Sequence, residues 1–135
     1  MRNLIVILML SFSTITLAQR PEEVAKTVVQ QQLDAYNAKD IDTFMNLFSN
    51  DAAIFNFGEE EALAKGAEEI RAVYYKLFKN SPNLHSLVIN RSVIGNKVID
   101  YELISGRQGY EDVLKLIAIY EVKNELITKA TFIRE

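Results

Sequence analysis

The hydrophobic period of this chain turns to that of strands for good after Pro82, and that change limits the folds open to it. Before Pro82, one early strand apart, apolar residues recur three and four positions apart, as on one face of a helix; after it they alternate, as on a strand. Pro21 followed by Glu22 and Glu23 is a helix start, with proline in the first turn and acids at the positive end of the dipole. Ala25, Val28, Val29, Gln32, Leu33 and Tyr36 then share a face. Asp40 is the predicted N-cap of a second, short helix carrying Ile41, Phe44, Met45 and Phe48. A strand is predicted over Ala52–Phe57, then an acidic loop, then a third helix from about Ala67 with Ile70, Val73, Tyr74, Leu77 and Phe78 inward. Pro82 cannot continue it.

From Leu84 onward, LHSLVINRSVI and KVIDYELIS flank Gly95-Asn96, a two-residue hairpin signal. DVLKLIAIYEV and LITKATFI form a second pair. Three helices with one early strand, followed by four antiparallel strands, predict an α+β fold with the helices on one side of the sheet. With Gly95-Asn96 as the turn, Ile94 faces Lys97, Arg91 faces Asp100, Asn90 faces Tyr101 and Ile89 faces Glu102. Alternation then places His85, Leu87, Ile89, Arg91 and Val93 on one face with Val98, Asp100, Glu102 and Ile104. Ser86, Val88, Asn90 and Ser92 share the other with Ile99, Tyr101 and Leu103. Both faces hold apolar surface and helices cover only one, so a homodimer through the outer sheet face is expected.

The N-terminal stretch is built differently. Arg2 is its single charge, Leu4 to Phe12 is an apolar run, and TLA precedes Gln19. This is the pattern of a secretory signal peptide over residues 1–18, cut near Ala18, with one domain over 19–135. The run is well short of the ~20 residues a spanning helix needs. A periplasmic or secreted protein without a stable membrane anchor is therefore expected. The chain has no cysteine, which excludes disulfides, thiol nucleophiles and cysteine zinc sites. Its net charge of −3 becomes one unit more acidic on loss of Arg2, and no basic patch suggests nucleic acid.

The segments VVQQQLDAYNAKDIDTFMNLFSNDAAIFNF, KGAEEIRAVYYKLF and AIYEVKNELITKATFI resemble the nuclear transport factor 2-like superfamily, specifically its SnoaL-like and ketosteroid isomerase-like members. The likeness runs from about Glu22 to Ile133. It implies three helices packed on a curved, mostly antiparallel sheet that forms a cone-shaped, cystatin-like half-barrel. The fold alone does not assign a reaction. In ketosteroid isomerase an aspartate moves a proton while a tyrosine and a protonated aspartate hold the oxyanion. By the resemblance, Asn56 stands at the base position, Gln32 at the oxyanion tyrosine and Ala118 at the protonated aspartate. Tyr74 is a retained supporting tyrosine. A carboxamide does not accept and return a proton near neutral pH, and alanine donates no hydrogen bond.

The resemblance thus implies a ligand pocket of Gln32, Tyr36, Asn56, Tyr74, Asn90, Tyr101 and Ala118, apolar with neutral hydrogen-bonding groups. A filled core in which these groups satisfy one another is the alternative. A second polar cluster, His85, Arg91, Asp100 and Glu102, is similar to the Asp-Arg-Asp water-activating arrangement of limonene epoxide hydrolase-like relatives. It equally reads as a cross-strand ion pair, and the resemblance puts it on the convex face. No metal-ligand spacing is found, and no metal or other cofactor is expected. Arg107, in GRQG, reads as an exposed turn residue, with the cone mouth or an anion as its alternative role. The expected function is binding of a small hydrophobic molecule without steroid isomerase chemistry. An isomerase or hydrolase acting on such a molecule, and a protein-interaction module, are the alternatives.

Overall fold

In the computed structural model, which describes residues 19–135, the first helix α1 spans Pro21–Ala38. The leader expected over residues 1–18 lies outside the described residues. Helix α1 begins with proline and two acids, as its sequence requires, and ends on Lys39 in the left-handed region (φ 52°). The Asp40 side chain caps α2 (Ile41–Met45), accepting from the Thr43 backbone N–H at 3.1 Å and from its hydroxyl at 2.7 Å. Strand β1 (Phe48–Asn56) starts earlier than its apolar run, and the acidic stretch contains a short strand, β2 (Ala64–Lys65). Helix α3 spans Ala67–Asn80. Strands β3 (His85–Ile94), β4 (Lys97–Ser105), β5 (Leu114–Lys123) and β6 (Leu126–Arg134) follow.

The six strands form one sheet in the order β2-β1-β6-β5-β4-β3. Only β1 and β6 run parallel; the remaining pairs are antiparallel. The described residues are therefore α+β, with three helices against a curved, mostly antiparallel sheet. Tyr36, Phe44, Phe48, Tyr74 and Phe78 make an aromatic cluster that joins the three helices to β1, with Phe44 and Tyr74 ring centroids 4.5 Å apart. Among the described residues, no helix is long and apolar enough to cross a membrane.

The β3–β4 hairpin turns at Gly95 (φ 57°), and its register follows expectation from Ile94↔Lys97 to Asn90↔Tyr101. It then shifts. Glu102 pairs with Val88, not Ile89, because a bulge at Ile89 adds one residue to β3. One extra residue inverts the faces beyond it. Ser86 therefore joins Glu102 and Ile104 on the helix side, while His85 and Leu87 lie on the outer face. The expected grouping of His85 with Arg91, Asp100 and Glu102 is corrected accordingly.

The expected convex position of Arg91, Asp100 and Glu102 is also overturned. Val98, Asp100, Glu102 and Ile104 form the buried face of β4, under α1, with Asp100 wholly inaccessible. Asp100 pairs with Ala118 on β5, which is equally buried. Directly paired residues share a face, so the two lie together on the inner side. Asn90 and Tyr101, expected to point into the cone, pair with each other on the outer face, one residue out of phase with Asp100.

Candidate functional site

A cavity of about 320 Å³ lies between α1, α3 and the inner face of the sheet. Leu33, Ile54, Val73, Leu77, Ile104, Leu116 and Phe132 give it apolar walls. The helical stripes account for part of this: Leu33 belongs to the inner face of α1, and Val73 and Leu77 flank the buried Ile70, Tyr74 and Phe78 of α3. Ile54, Phe132, Leu116 and Ile104 come from four different strands, each at a position of inward parity.

Polar groups sit on its buried floor. Gln32 and Tyr36, one helical turn apart on α1, are joined by Tyr74 from α3, Tyr120 from β5, Glu102 from β4 and Ser86 from β3. The Gln32 Oε1, Tyr36 hydroxyl and Ser86 Oγ atoms are buried without a hydrogen-bond partner. Burial pushes the Tyr36, Tyr74 and Tyr120 phenols well above their usual range, so they remain protonated donors. Ser86 is placed by α1: its backbone N–H donates to Asn37 Oδ1 at 2.7 Å, and Asn37 Nδ2 donates to its carbonyl at 3.0 Å.

Glu102 is the one carboxylate in the lining. Burial pushes its pKa up to about 8; the neighbouring Asp100 carboxylate adds to the effect and the Arg91 guanidinium opposes it. Arg91 and Asp100 form a fork beside it, with Nε to Oδ1 at 2.7 Å and Nη2 to Oδ2 at 2.8 Å. Arg91 Nη1 donates to Gln30 Oε1 of α1 at 2.8 Å. Asp100 is thus fully committed to Arg91, whereas Glu102 faces the cavity.

Exposed residues mark the rim: Leu63, Val73, Tyr110 and Arg134, with the half-buried Arg107. Arg107 follows Gly106, whose left-handed backbone (φ +71°) presses against the Asn83 carbonyl, where a Cβ would lie 2.1 Å from the oxygen. The next turn is held by the Gln108 backbone N–H donating to Ser81 Oγ at 3.0 Å. Arg134 projects from the end of β6, its guanidinium over the Phe132 ring at 5.3 Å and hydrogen-bonded to Asn56 Oδ1.

Of the seven pocket residues expected, the structure brings Gln32, Tyr36 and Tyr74 directly to the cavity. Ala118 is buried on the inner face without lining it, and Asn56 reaches it through Arg134. Asn90 and Tyr101 are outside. The second cluster divides: Glu102 lines the cavity, Asp100 and Arg91 stand behind it, and His85 lies on the outer face. Ser86, Tyr120 and Arg134 were missed. Tyr120 alone had a signal, since it alternates in phase with Ala118.

Solved structures share this architecture. A cystatin-fold protein from Novosphingobium aromaticivorans superposes with a TM-score of 0.72 at 22% identity, covering 87% of this chain and 100% of its own. A protein from Jannaschia sp. CCS1, provisionally described as a SnoaL-like polyketide cyclase, gives 0.74 at 15% identity, with 87% and 90% covered. One from Kribbella flavida, provisionally described as a ketosteroid isomerase, gives 0.73 at 15%, with 87% and 82% covered. At these identities the likeness is one of fold. Comparison with proteins of curated function returns no significant match. The SnoaL-like domain family profile matches residues 29–130, most of the chain, and the protein belongs to the SnoaL-like domain family.

Proposed function

We propose that this SnoaL-like protein binds one small hydrophobic molecule in the cavity beneath α1 and α3. The observation that carries the reading is the set of orphaned polar atoms on the floor. An unpartnered buried polar atom costs roughly 1–3 kcal/mol. Three of them, on Gln32, Tyr36 and Ser86, line one apolar cavity. A ligand with an apolar body, a hydroxyl that donates to Gln32 Oε1 and oxygens that accept from the Tyr36 and Ser86 hydroxyls satisfies them. Native mass spectrometry on protein purified from its own host tests this: one discrete small mass per chain is expected, and its absence after challenge with apolar ketones and phenols overturns the reading.

A second reading, proton-transfer catalysis, is favoured by one residue. Glu102 faces the cavity with a pKa near neutrality, as a general acid or base requires. Any such chemistry would differ from steroid isomerisation. The three positions matched to the isomerase machinery hold Asn56, Gln32 and Ala118, and Asn56 is engaged with Arg134 and Glu59. A 3-oxo-Δ5-steroid is expected to show no isomerisation above background; a Glu102-dependent rate would overturn that.

We propose further that the chain is exported, losing residues 1–18, and pairs through its outer sheet face. Leu87 and Ile94 are exposed there at 53% and 68%, with Ile89 and Ile133 nearby on the same sheet. Leu87→Lys together with Ile94→Lys is expected to convert a dimer to a monomer in analytical ultracentrifugation. An unchanged mass would contradict that interface.

A further inference from the structure

Two guanidiniums stand at the rim of the cavity without a carboxylate. Arg107 and Arg134 both line it, and neither forms an ion pair among the described residues. Carboxylates near this end are engaged or make no contact with them. Glu59 accepts from Asn56 Nδ2 at 3.3 Å and Glu135 pairs with Lys115 at 3.5 Å. Glu111 and Asp112, in the same loop as Arg107, form no ion pair among the described residues.

Both cations are held in place. Arg107 lies over the Tyr110 ring at 5.5 Å on a loop fixed by Gly106 and Gln108, and Arg134 is held by Phe132 and Asn56. Burial and the positive charge of Arg107 together lower the pKa of Arg134. Two like charges in one partly desolvated rim repel each other, and an anion between them removes that repulsion. Arg107 and Arg134 line the same cavity as Tyr36 and Tyr74, so rim and floor belong to one site.

We propose that the ligand of this cavity is an apolar carboxylate, its largely hydrocarbon body inside the cone with a hydroxyl or carbonyl toward the polar floor, and its carboxylate held between Arg107 and Arg134. The inference rests on the cavity being a ligand site and adds the charge of what it takes. Size sets a bound. A cavity of about 150 Å³ holds benzene, so about 320 Å³ suits a body of roughly two fused rings or a medium alkyl chain. Neutral molecules of the same shape fill the floor and leave the rim unanswered.

The test is calorimetric titration of the purified protein with 2-naphthylacetate and with its uncharged match, 2-naphthaleneethanol, at low and high salt. The acid is expected to bind about tenfold or more tightly than the alcohol, as a charge-assisted pair implies. The advantage should shrink as salt rises. In Arg107→Gln, a loop substitution, and in Arg107→Gln with Arg134→Gln, the ratio of the two affinities is expected to collapse toward one. Equal affinities in the native protein would overturn the carboxylate proposal while leaving the cavity as a binding site. Failure of both probes to bind at millimolar concentration would overturn both.

Discussion

Asn56 accepts a hydrogen bond from the Arg134 guanidinium, joining the end of β1 to the end of its parallel neighbour β6 at the rim of the cavity. The amide that the resemblance matches to the isomerase base is thus bonded to a cation. An aspartate here would neutralise Arg134 and occupy the anion site itself.

Replacing Asn56 by alanine is expected to leave the fold intact and to weaken an apolar carboxylate by about two- to tenfold, the worth of one ordinary hydrogen bond. Asn56→Asp is expected to weaken it more, because it adds a competing carboxylate. Calorimetric titration of both variants checks this order, and equal binding in all three proteins would remove Asn56 from the site.

The Arg91–Asp100 pair lies inside, under α1, with the Asp100 side chain inaccessible and that of Arg91 only 13% exposed. Truncating one partner leaves the other charge buried alone. Asp100→Ala is expected to lower stability by about 3–5 kcal/mol, with Arg91→Met and Asp100→Leu together recovering much of the loss. Urea unfolding measures both. A loss under about 1 kcal/mol in the single variant would mean that water reaches the pair.

Glu102 should make stability depend on pH in a distinct window. Its folded pKa, about 8, lies above the ordinary 4.5. The folded state therefore holds a proton that the unfolded chain has released. The stabilisation from the neutral acid is complete below about pH 4.5 and is lost as the pH rises through about 8. Glu102→Gln keeps the shape without the charge, and is expected to be more stable than the native protein at pH 8 by at least about 1 kcal/mol. Denaturation at pH 5 through 9 checks this; parallel curves for the two proteins would show that Glu102 is solvated in the cavity.

Gly106 has a narrower role. At φ +71°, with the Asn83 carbonyl carbon 2.4 Å from where a Cβ would stand, any side chain must displace backbone. Gly106→Ala is expected to cost about 2–4 kcal/mol, from left-handed strain together with the clash. It should also displace Arg107 and erode the preference for a carboxylate. Denaturation and paired titrations report the two effects separately.

The elements were legible because each carried its own local signal. Asp40 capped α2 as its sequence position required, and Gly95 made the turn that set β3 against β4. The site was legible only in part. The bulge at Ile89 has no glycine to announce it, yet it moves Ser86 into the cavity and His85 out of it. Asp100 and Glu102 inside the sheet defy the usual rule that charges face water, and both sheet faces were apolar enough to mislead. The pairing Asp100↔Ala118 would have resolved the matter, but it depends on the register between β4 and β5, across a loop without a tight-turn signature. Arg134, near the end of the chain, shares no periodic pattern with Arg107. Their meeting is a consequence of tertiary structure alone.

A titration of isotopically labelled protein with 2-naphthylacetate, followed residue by residue by nuclear magnetic resonance, tests most directly whether the cavity is the site. Shifts are expected at Gln32, Tyr36, Ser86 and Glu102 on the floor and at Arg107 and Arg134 on the rim. Shifts confined to the outer face, around Leu87, Ile94 and Tyr101, or none at millimolar ligand, would contradict the account.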